Sequence, residues 1–349
     1  MFDFKRLKRC FIVAEISANH RQNYNRAVSL IKKAKQCGAD AVKFQAYTPD
    51  TLTIDANNKY FRIKHLRWGG QTLYQLYKKS YIPWAWLKKL KAIADDLGII
   101  FFATAFDSSA VDFLEQINVP VHKIASFEIV DLPLIEHAAQ TKKPLIISTG
   151  MATVAEINQA LGAAKDAGAK AITLLKCVSS YPAAPEQMNL RTIPEMNRMF
   201  NCPVGLSDHS LGITVAQAAV ALGARVIEKH FTLSRKRKTA DGFFSVEPKE
   251  LKMLVENIRI TEQALGDVHY GLTKQESQSR VFRRSLFAVE DIRKGDNFTA
   301  QNIKSIRPGN GLPPESIKDI LDKKAKTDIK RGTPLSWKMT GSKKGTKES

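Results

Sequence analysis

The sequence predicts an α/β fold: a (β/α)8 TIM barrel followed by a small, β-rich C-terminal domain. Three observations predict it. Short apolar or β-branched runs alternate with amphipathic stretches eight times along the first three quarters of the chain. Several of the amphipathic stretches stop on a glycine directly before the next run. After Gly266 the alternation ends and a different, internally repetitive pattern begins.

The candidate strands, in order, are 12–16, 41–45, 99–104, 121–125, 145–148, 171–177, 204–207 and 226–230. Runs this short and this apolar suit strands buried on both faces. Helical patterns at 24–37, 84–97, 154–167 and 213–222 precede Gly38, Gly98, Gly168 and Gly223. Glycine is a favoured helix stop because it takes the left-handed conformation cheaply. Repeated helix–glycine–strand joints argue for a parallel sheet with crossover helices. Eight such units argue for closure into a barrel. An open doubly wound sheet would show a glycine-rich nucleotide turn after its first strand. Ile16-Ser17-Ala18-Asn19-His20 stands there instead.

The barrel is expected over 1–266, a polar linker over 267–284, the small domain over 285–340 and a disordered tail over 341–349, which has no apolar residue. In the small domain Asp291-Ile292-Arg293-Lys294-Gly295 recurs as Asp328-Ile329-Lys330-Arg331-Gly332, which predicts internal pseudo-symmetry. Between the copies lies the turn-rich run from Arg307 to Pro314.

With 349 residues, 44% of them hydrophobic, the chain can bury a sizeable core. No apolar run approaches the roughly 20 residues of a membrane span. Four scattered cysteines, none in a CxxC pair, fit reduced thiols and a cytoplasmic setting. The net charge of +20 admits three readings: nucleic-acid binding, steering of anionic substrates, or a basic surface without a role. The basic residues spread over the whole chain without a nucleic-acid motif, so no nucleic acid is expected as a partner. The run Arg235-Lys236-Arg237-Lys238 reads as a solvated loop or as a lid that gathers anions.

Active sites of such barrels sit where the strands end. Those ends carry Glu15, Lys43, Gln45, Thr104, Lys123, Ser126, Glu128, Ser148, Ser179, Tyr181, His209, Glu228 and His230. Lysines inside strands (Lys43, Lys123, Lys176) are costly to bury without an anion, so they mark either ion pairs or an anion site. His209 and His230 end adjacent strands about 4.8 Å apart, within reach of one ion. Spacing alone leaves a hydrogen-bonding role for each open.

At these motifs the sequence resembles a known family. Ala14-Glu15-Ile16-Ser17-Ala18-Asn19-His20, Lys43-Phe44-Gln45, Ser148-Thr149-Gly150-Met151, Gly205-Leu206-Ser207-Asp208-His209 and Glu228-Lys229-His230-Phe231 are similar to the sialic acid synthase family. Arg307-Pro308-Gly309-Asn310-Gly311 is similar to that family's antifreeze-like (SAF) domain. Within the family, Ile16 to His20, Tyr47 to Leu52 and Phe244-Ser245 are most similar to the pseudaminic acid branch.

The resemblance implies condensation of phosphoenolpyruvate with an amino-sugar aldehyde, releasing phosphate by C–O cleavage. For this branch the sugar is 2,4-diacetamido-2,4,6-trideoxy-altrose; N-acetylneuraminate or legionaminic acid synthesis is the alternative. It implies a divalent metal, Mn2+ with Mg2+ or Co2+ as alternatives, on His209 and His230. It implies phosphoenolpyruvate contacts from Lys43, Thr104, Lys123, Ser126, Ser148 and Ser179. Gln45, Tyr181, Asp241 and Arg307 would face the sugar, and Glu15 and Glu128 are the candidates for proton transfer. A carboxylate among lysines is expected to stay ionised. Arg307 would reach the partner's barrel in a domain-swapped homodimer.

Three departures bear on the sugar. Arg21-Gln22 replaces the common Asn-Gly, Ser179 stands where neuraminate synthases often have Asn, and Arg67 to Gly70 lacks an Asn of that branch. Trp68 and Phe243-Phe244 suggest a more apolar pocket, suited to a methyl and an extra acetyl group. A carbohydrate- or ice-binding module without catalysis is the competing class. Lys294, Lys304, Arg307 and Lys330 speak against an uncharged ice-binding face.

Overall fold

The structure, a computed structural model, describes residues 4–64 and 68–340. The tail 341–349 and Arg67 lie outside the described residues. The chain divides into two compact units, Met1–Gly266 and Asp267–Ser349.

The first unit is a closed barrel whose strands follow chain order. They are β1 (Phe11–Glu15), β2 (Ala41–Ala46), β3 (Ile100–Ala105), β4 (His122–Ile124), β5 (Leu145–Ser148), β6 (Ile172–Cys177), β7 (Val204–Asp208) and β8 (Val226–His230). All eight pairings are parallel, and β8 closes on β1 with Glu15 opposite His230. β4 is shorter than the run 121–125 suggested, and Ile16 leaves β1 to start a turn through Ser17.

Helices Tyr24–Gln36, Trp84–Asp96, Ser108–Gln116, Leu132–Gln140, Val154–Asp166, Thr192–Phe200, Thr214–Ala221 and Pro248–Leu265 follow successive strands. The four expected glycine stops take φ values of 63–104°. Apolar helix positions such as Leu30, Ile31, Leu87, Leu90 and Ile135 pack without exposure into one core with the strands. Burial on this scale contributes about 1.5–3 kcal/mol per large side chain.

Two excursions from the repeat matter for the site. Between β2 and helix Trp84–Asp96 the chain forms two short helices, Pro49–Leu52 and Leu73–Ser80, with an Arg62–Thr72 bridge between them. After β8, residues 231–247 fold back over the end of the barrel, pinned by the backbone bridge Phe231–Val246.

The second unit pairs β9 (Ser285–Ala288) with β10 (Ile303–Ile306) in antiparallel fashion. The rest of its order comes from isolated bridges and turns, so it has less strand than expected. The sequence repeat becomes a reciprocal contact. Ile292 and Ile329 exchange both backbone hydrogen bonds at 2.8 Å. Asp291 accepts from the Arg331 amide at 2.8 Å and Asp328 from the Lys294 amide at 2.7 Å. Leu286, Ile292, Phe298, Ile303, Ile320, Ile329 and Leu335 form its core. The stretch expected as a linker carries short helical turns, Glu276–Ser279 and Arg280–Phe282, within this second unit.

Candidate active site

Side chains alternate along a strand, so residues two apart share a face. That period sets Glu228 and His230 on one face of β8 and Lys229 on the other. Lys229 pairs with Asp208 at 2.7 Å away from the cavity, while Ser207 and His209 reach it. The same rule brings Lys43 and Gln45 together from β2. Across the strands, Glu15 stands opposite Lys43, Gln45 opposite Thr104, Thr104 opposite Lys123, and Ser207 opposite Glu228.

These groups surround a cavity of about 430 Å³. Glu15, Lys43, Gln45, Thr104, Lys123, Ser126, Ser148, Tyr181, His209, His230 and Asp241 all line it. Lys176, one of the three strand lysines, does not; its ammonium donates to the Cys177 carbonyl at 3.4 Å. Arg307 belongs to the second unit, at the end of β10.

The two lysines differ. Lys43 is ion-paired with Glu15 at 2.8 Å and Glu228 at 3.5 Å, and donates to Thr104 Oγ1 at 2.7 Å. Lys123 is equally buried, yet among the described residues it has no ion pair. It donates to Ser148 Oγ and the Ile124 carbonyl, both at 2.7 Å. Burial pushes its ammonium down to about 8. An unpaired buried cation beside hydroxyls has the chemistry of an anion receptor.

Ser126 and Ser179 complete that receptor through Gly150. The Gly150 amide donates to Ser126 Oγ at 3.1 Å. A Cβ on Gly150 would lie 2.2 Å from Ser179 Oγ and 2.7 Å from Ser126 Oγ. Glycine is therefore required for the two hydroxyls to approach this closely. Ser179 sits against this corner without lining the cavity itself.

The carboxyl groups depart from the expectation that they stay ionised. Burial pushes Glu15 up to about 7 against the opposing pull of Lys43, with Glu228 adding to the rise. Burial also outweighs Lys123 at Glu128, raising it to about 7. Two carboxyls share one ammonium, and Glu228, drawn down by Lys43 and Lys123, keeps the charge. Desolvation thus exceeds the attraction of the lysines at Glu15 and Glu128. Gln45 Nε2 donates to Glu15 Oε1 at 3.1 Å and fixes it. Glu128 does not line the cavity, but its charge is felt at Lys123, Tyr77 and Tyr181.

His209 and His230 meet edge to face with ring centroids 5.3 Å apart. His209 Nδ1 donates to the Val178 carbonyl at 2.9 Å; burial pulls this imidazole down but Cys177 and the Val178 bond raise it above its usual value, and its neutral form presents Nε2 as the acceptor. His230 Nδ1 is buried with no hydrogen-bond partner. Burial, and then the neighbouring His209, hold His230 well below its usual range, in the neutral form a metal ligand needs. No group of three His, Cys, Asp or Glu poised to hold a metal occurs among the described residues. Two imidazoles fit a divalent cation whose other positions go to water and substrate.

The opposite wall is aromatic. Tyr181 packs on His209 at 4.4 Å, on Phe244 at 5.3 Å and on Trp68 at 5.9 Å between centroids, and Trp68 meets Phe243 at 6.4 Å. Asp241 accepts from the Ser17 hydroxyl and from the Ala18 amide, joining the turn after β1 to the 231–247 segment. Asn19 serves the same joint, donating to the Phe231 carbonyl and Ser245 Oγ and accepting from Thr239.

Glu228, placed at a strand end by the sequence, and Ser207 had no assigned role; each lies two residues before a histidine that reaches the same cavity. The contribution of 49–80 to the wall, through Ile63, Leu73, Leu76 and Tyr77, had no periodic signal.

Known proteins are similar to this chain in sequence and in fold. The pattern of the NeuB family matches residues 30–270, and that of the SAF domain residues 283–339. The pseudaminic acid synthase of Campylobacter jejuni subsp. jejuni serotype O:2 is 43% identical, covering 95% of this chain and 97% of its own. The N,N'-diacetyllegionaminic acid synthase of Legionella pneumophila subsp. pneumophila is 37% identical, covering 94% of each. The solved structure of N-acetylneuraminic acid (sialic acid) synthetase from Leptospira borgpetersenii superposes with a TM-score of 0.70 at 34% identity, covering 78% of this chain and 90% of that one.

Proposed function

The chain belongs to the NeuB family, and on that premise we propose that it condenses phosphoenolpyruvate with 2,4-diacetamido-2,4,6-trideoxy-altrose to give pseudaminic acid and phosphate. The observation that carries this reading is Lys123: a buried ammonium with no ion pair among the described residues, bonded to the Ser148 hydroxyl, in the same cavity as Ser126 and two facing imidazoles.

In this reading Lys123 Nζ and the Ser126 and Ser148 hydroxyls hold the phosphate and carboxylate of phosphoenolpyruvate, with Gly150 and Ser179 supporting Ser126 from behind. Lys43 and Thr104 flank them. C3 attacks the aldehyde carbon, and the protonated fraction of Glu15, whose carboxyl burial pushes up to about 7, gives its proton to the aldehyde oxygen. Glu15 is preferred to Glu128 because it lines the cavity. Water then adds at C2 and loses a proton to the ionised Glu15, and as C–O cleavage turns the C2 hydroxyl into a carbonyl the departing phosphate takes up its proton. A divalent cation, Mn2+ or in its place Mg2+ or Co2+, would sit on His209 and His230 and polarise the aldehyde as a Lewis acid. Tyr181 and Gln45 face the sugar. Trp68 and Tyr181 line the cavity and bury its methyl and second acetyl group, each apolar carbon contributing about 0.8 kcal/mol, while Phe243 and Phe244 pack behind them without lining it.

No helix among the described residues is long and apolar enough to cross a membrane. By family resemblance, two chains exchange their C-terminal units and Arg307 reaches the partner's sugar.

The test is a colour assay for nonulosonic acid across a panel of sugars. The 6-deoxy diacetamido altrose should be used at least tenfold better, in kcat/KM, than N-acetylmannosamine. Equal or better use of N-acetylmannosamine would reject this sugar assignment and leave the chemistry.

A further inference from the structure

A second cavity of about 810 Å³ shares a wall with the reaction cavity: Ala18, Trp68, Leu76, Ser80 and Ala240 line both. Its remaining lining includes Arg21, Lys79, Arg235 and Lys238, and no carboxylate. Arg235 is neutralised by Glu250 at 2.8 Å and by Glu247 at 3.8 Å. Arg21, Lys79 and Lys238 are exposed, and Lys79 bonds to the neutral Gln71 at 3.1 Å.

The positive potential extends behind the lining. The Arg26 guanidinium donates to two neutral oxygens, the Asn19 carbonyl at 2.7 Å and Thr232 Oγ1 at 3.4 Å. Burial, then the charges of Arg237 and Arg21, hold it below its usual value. Like charges gathered without counter-ions cost folding energy unless they serve an anion.

We propose that this outer chamber is an anion station, through which phosphoenolpyruvate reaches the reaction cavity and phosphate leaves it. The inference rests on phosphoenolpyruvate being the substrate. The station adds a reason for the basic run after β8: Lys238 lines the chamber, and Arg237 strengthens its field. A cleft lined by one sign of charge concentrates the opposite ion and raises its association rate 10–1,000-fold, by an amount that falls with salt. The station therefore acts on arrival and leaves the chemical step alone.

The test measures association and dissociation of phosphoenolpyruvate by stopped-flow tryptophan fluorescence, Trp68 being on the shared wall. No sugar is added, and Mn2+ is held constant. The variant Arg21→Gln/Lys79→Gln/Lys238→Gln changes only exposed side chains. At low salt it should lower the association rate about 10-fold and change the dissociation rate by less than about twofold. The difference should close in roughly 0.5 M salt. Lys238→Glu alone should lower the association rate about threefold at low salt. Equal association rates in the wild type and both variants would overturn the station and leave phosphoenolpyruvate as substrate. A wild type that gives no phosphoenolpyruvate signal would sink the substrate reading and the station with it.

Discussion

Lys43 and Lys123 are the same residue in nearly the same setting, and they behave oppositely. Lys43 pairs with two buried carboxyls, and Glu228 is the one that keeps its charge, so removing the ammonium would strand it. Lys123 makes no ion pair among the described residues, and its burial outweighs the attraction of Glu228. Lys43→Met should therefore destabilise the barrel by about 3–5 kcal/mol. Lys123→Met should raise stability by about 1–3 kcal/mol while abolishing phosphoenolpyruvate binding. Chemical denaturation with a binding titration checks both; a Lys123→Met protein less stable than wild type would contradict the anion-receptor reading. The sequence marked both lysines as expensive, because an ammonium in an apolar run is visible. Which one was paired was not legible. That depends on Glu228, 185 positions away from Lys43 and adjacent only through barrel closure. The upward push on Glu15 was not legible for a related reason: the depth of burial is a property of the closed ring, and it outweighs the nearby lysine.

At the scale of elements, the strands and the glycine-stopped helices were legible because their signal is local and periodic. Boundaries moved by only one or two residues where a turn competed, as at Ile16 and at the ends of β4. The segment 49–80 and the fold-back 231–247 were not legible as cavity walls. Each is held by scattered side-chain contacts, such as Asn19 with Ser245, that leave no repeat in the sequence. The small unit shows the opposite case, a repeat that announces its own packing. Ile292 and Ile329 occupy equivalent positions in the two copies and are 2% and 3% exposed. Ile292→Ala and Ile329→Ala should thus cost similar amounts, about 2–4 kcal/mol each, confined to the second unit. Hydrogen exchange resolved by segment would reveal it. Loss of protection spreading through the barrel, or a large effect from only one substitution, would show that the symmetry carries no stability.

For the whole molecule, the NeuB pattern and the SAF pattern fall on separate compact units. If Arg307 serves a partner's sugar, Arg307→Ala should raise the sugar KM by about tenfold or more, a loss on the scale of one charge-assisted hydrogen bond. The KM for phosphoenolpyruvate and the melting of the barrel should hold steady; wild-type kinetics would remove the cross-subunit role. The central claim is narrower: the ring of His209, His230, Lys123 and Glu15 is one reaction site. It is tested most directly by phosphate release from phosphoenolpyruvate and the diacetamido altrose, measured in the same preparation before and after chelation. The expected result is release that needs the sugar, stops on chelation and returns with Mn2+. Release that continues unchanged in the chelated enzyme, or no release with any amino-sugar aldehyde, would contradict the account.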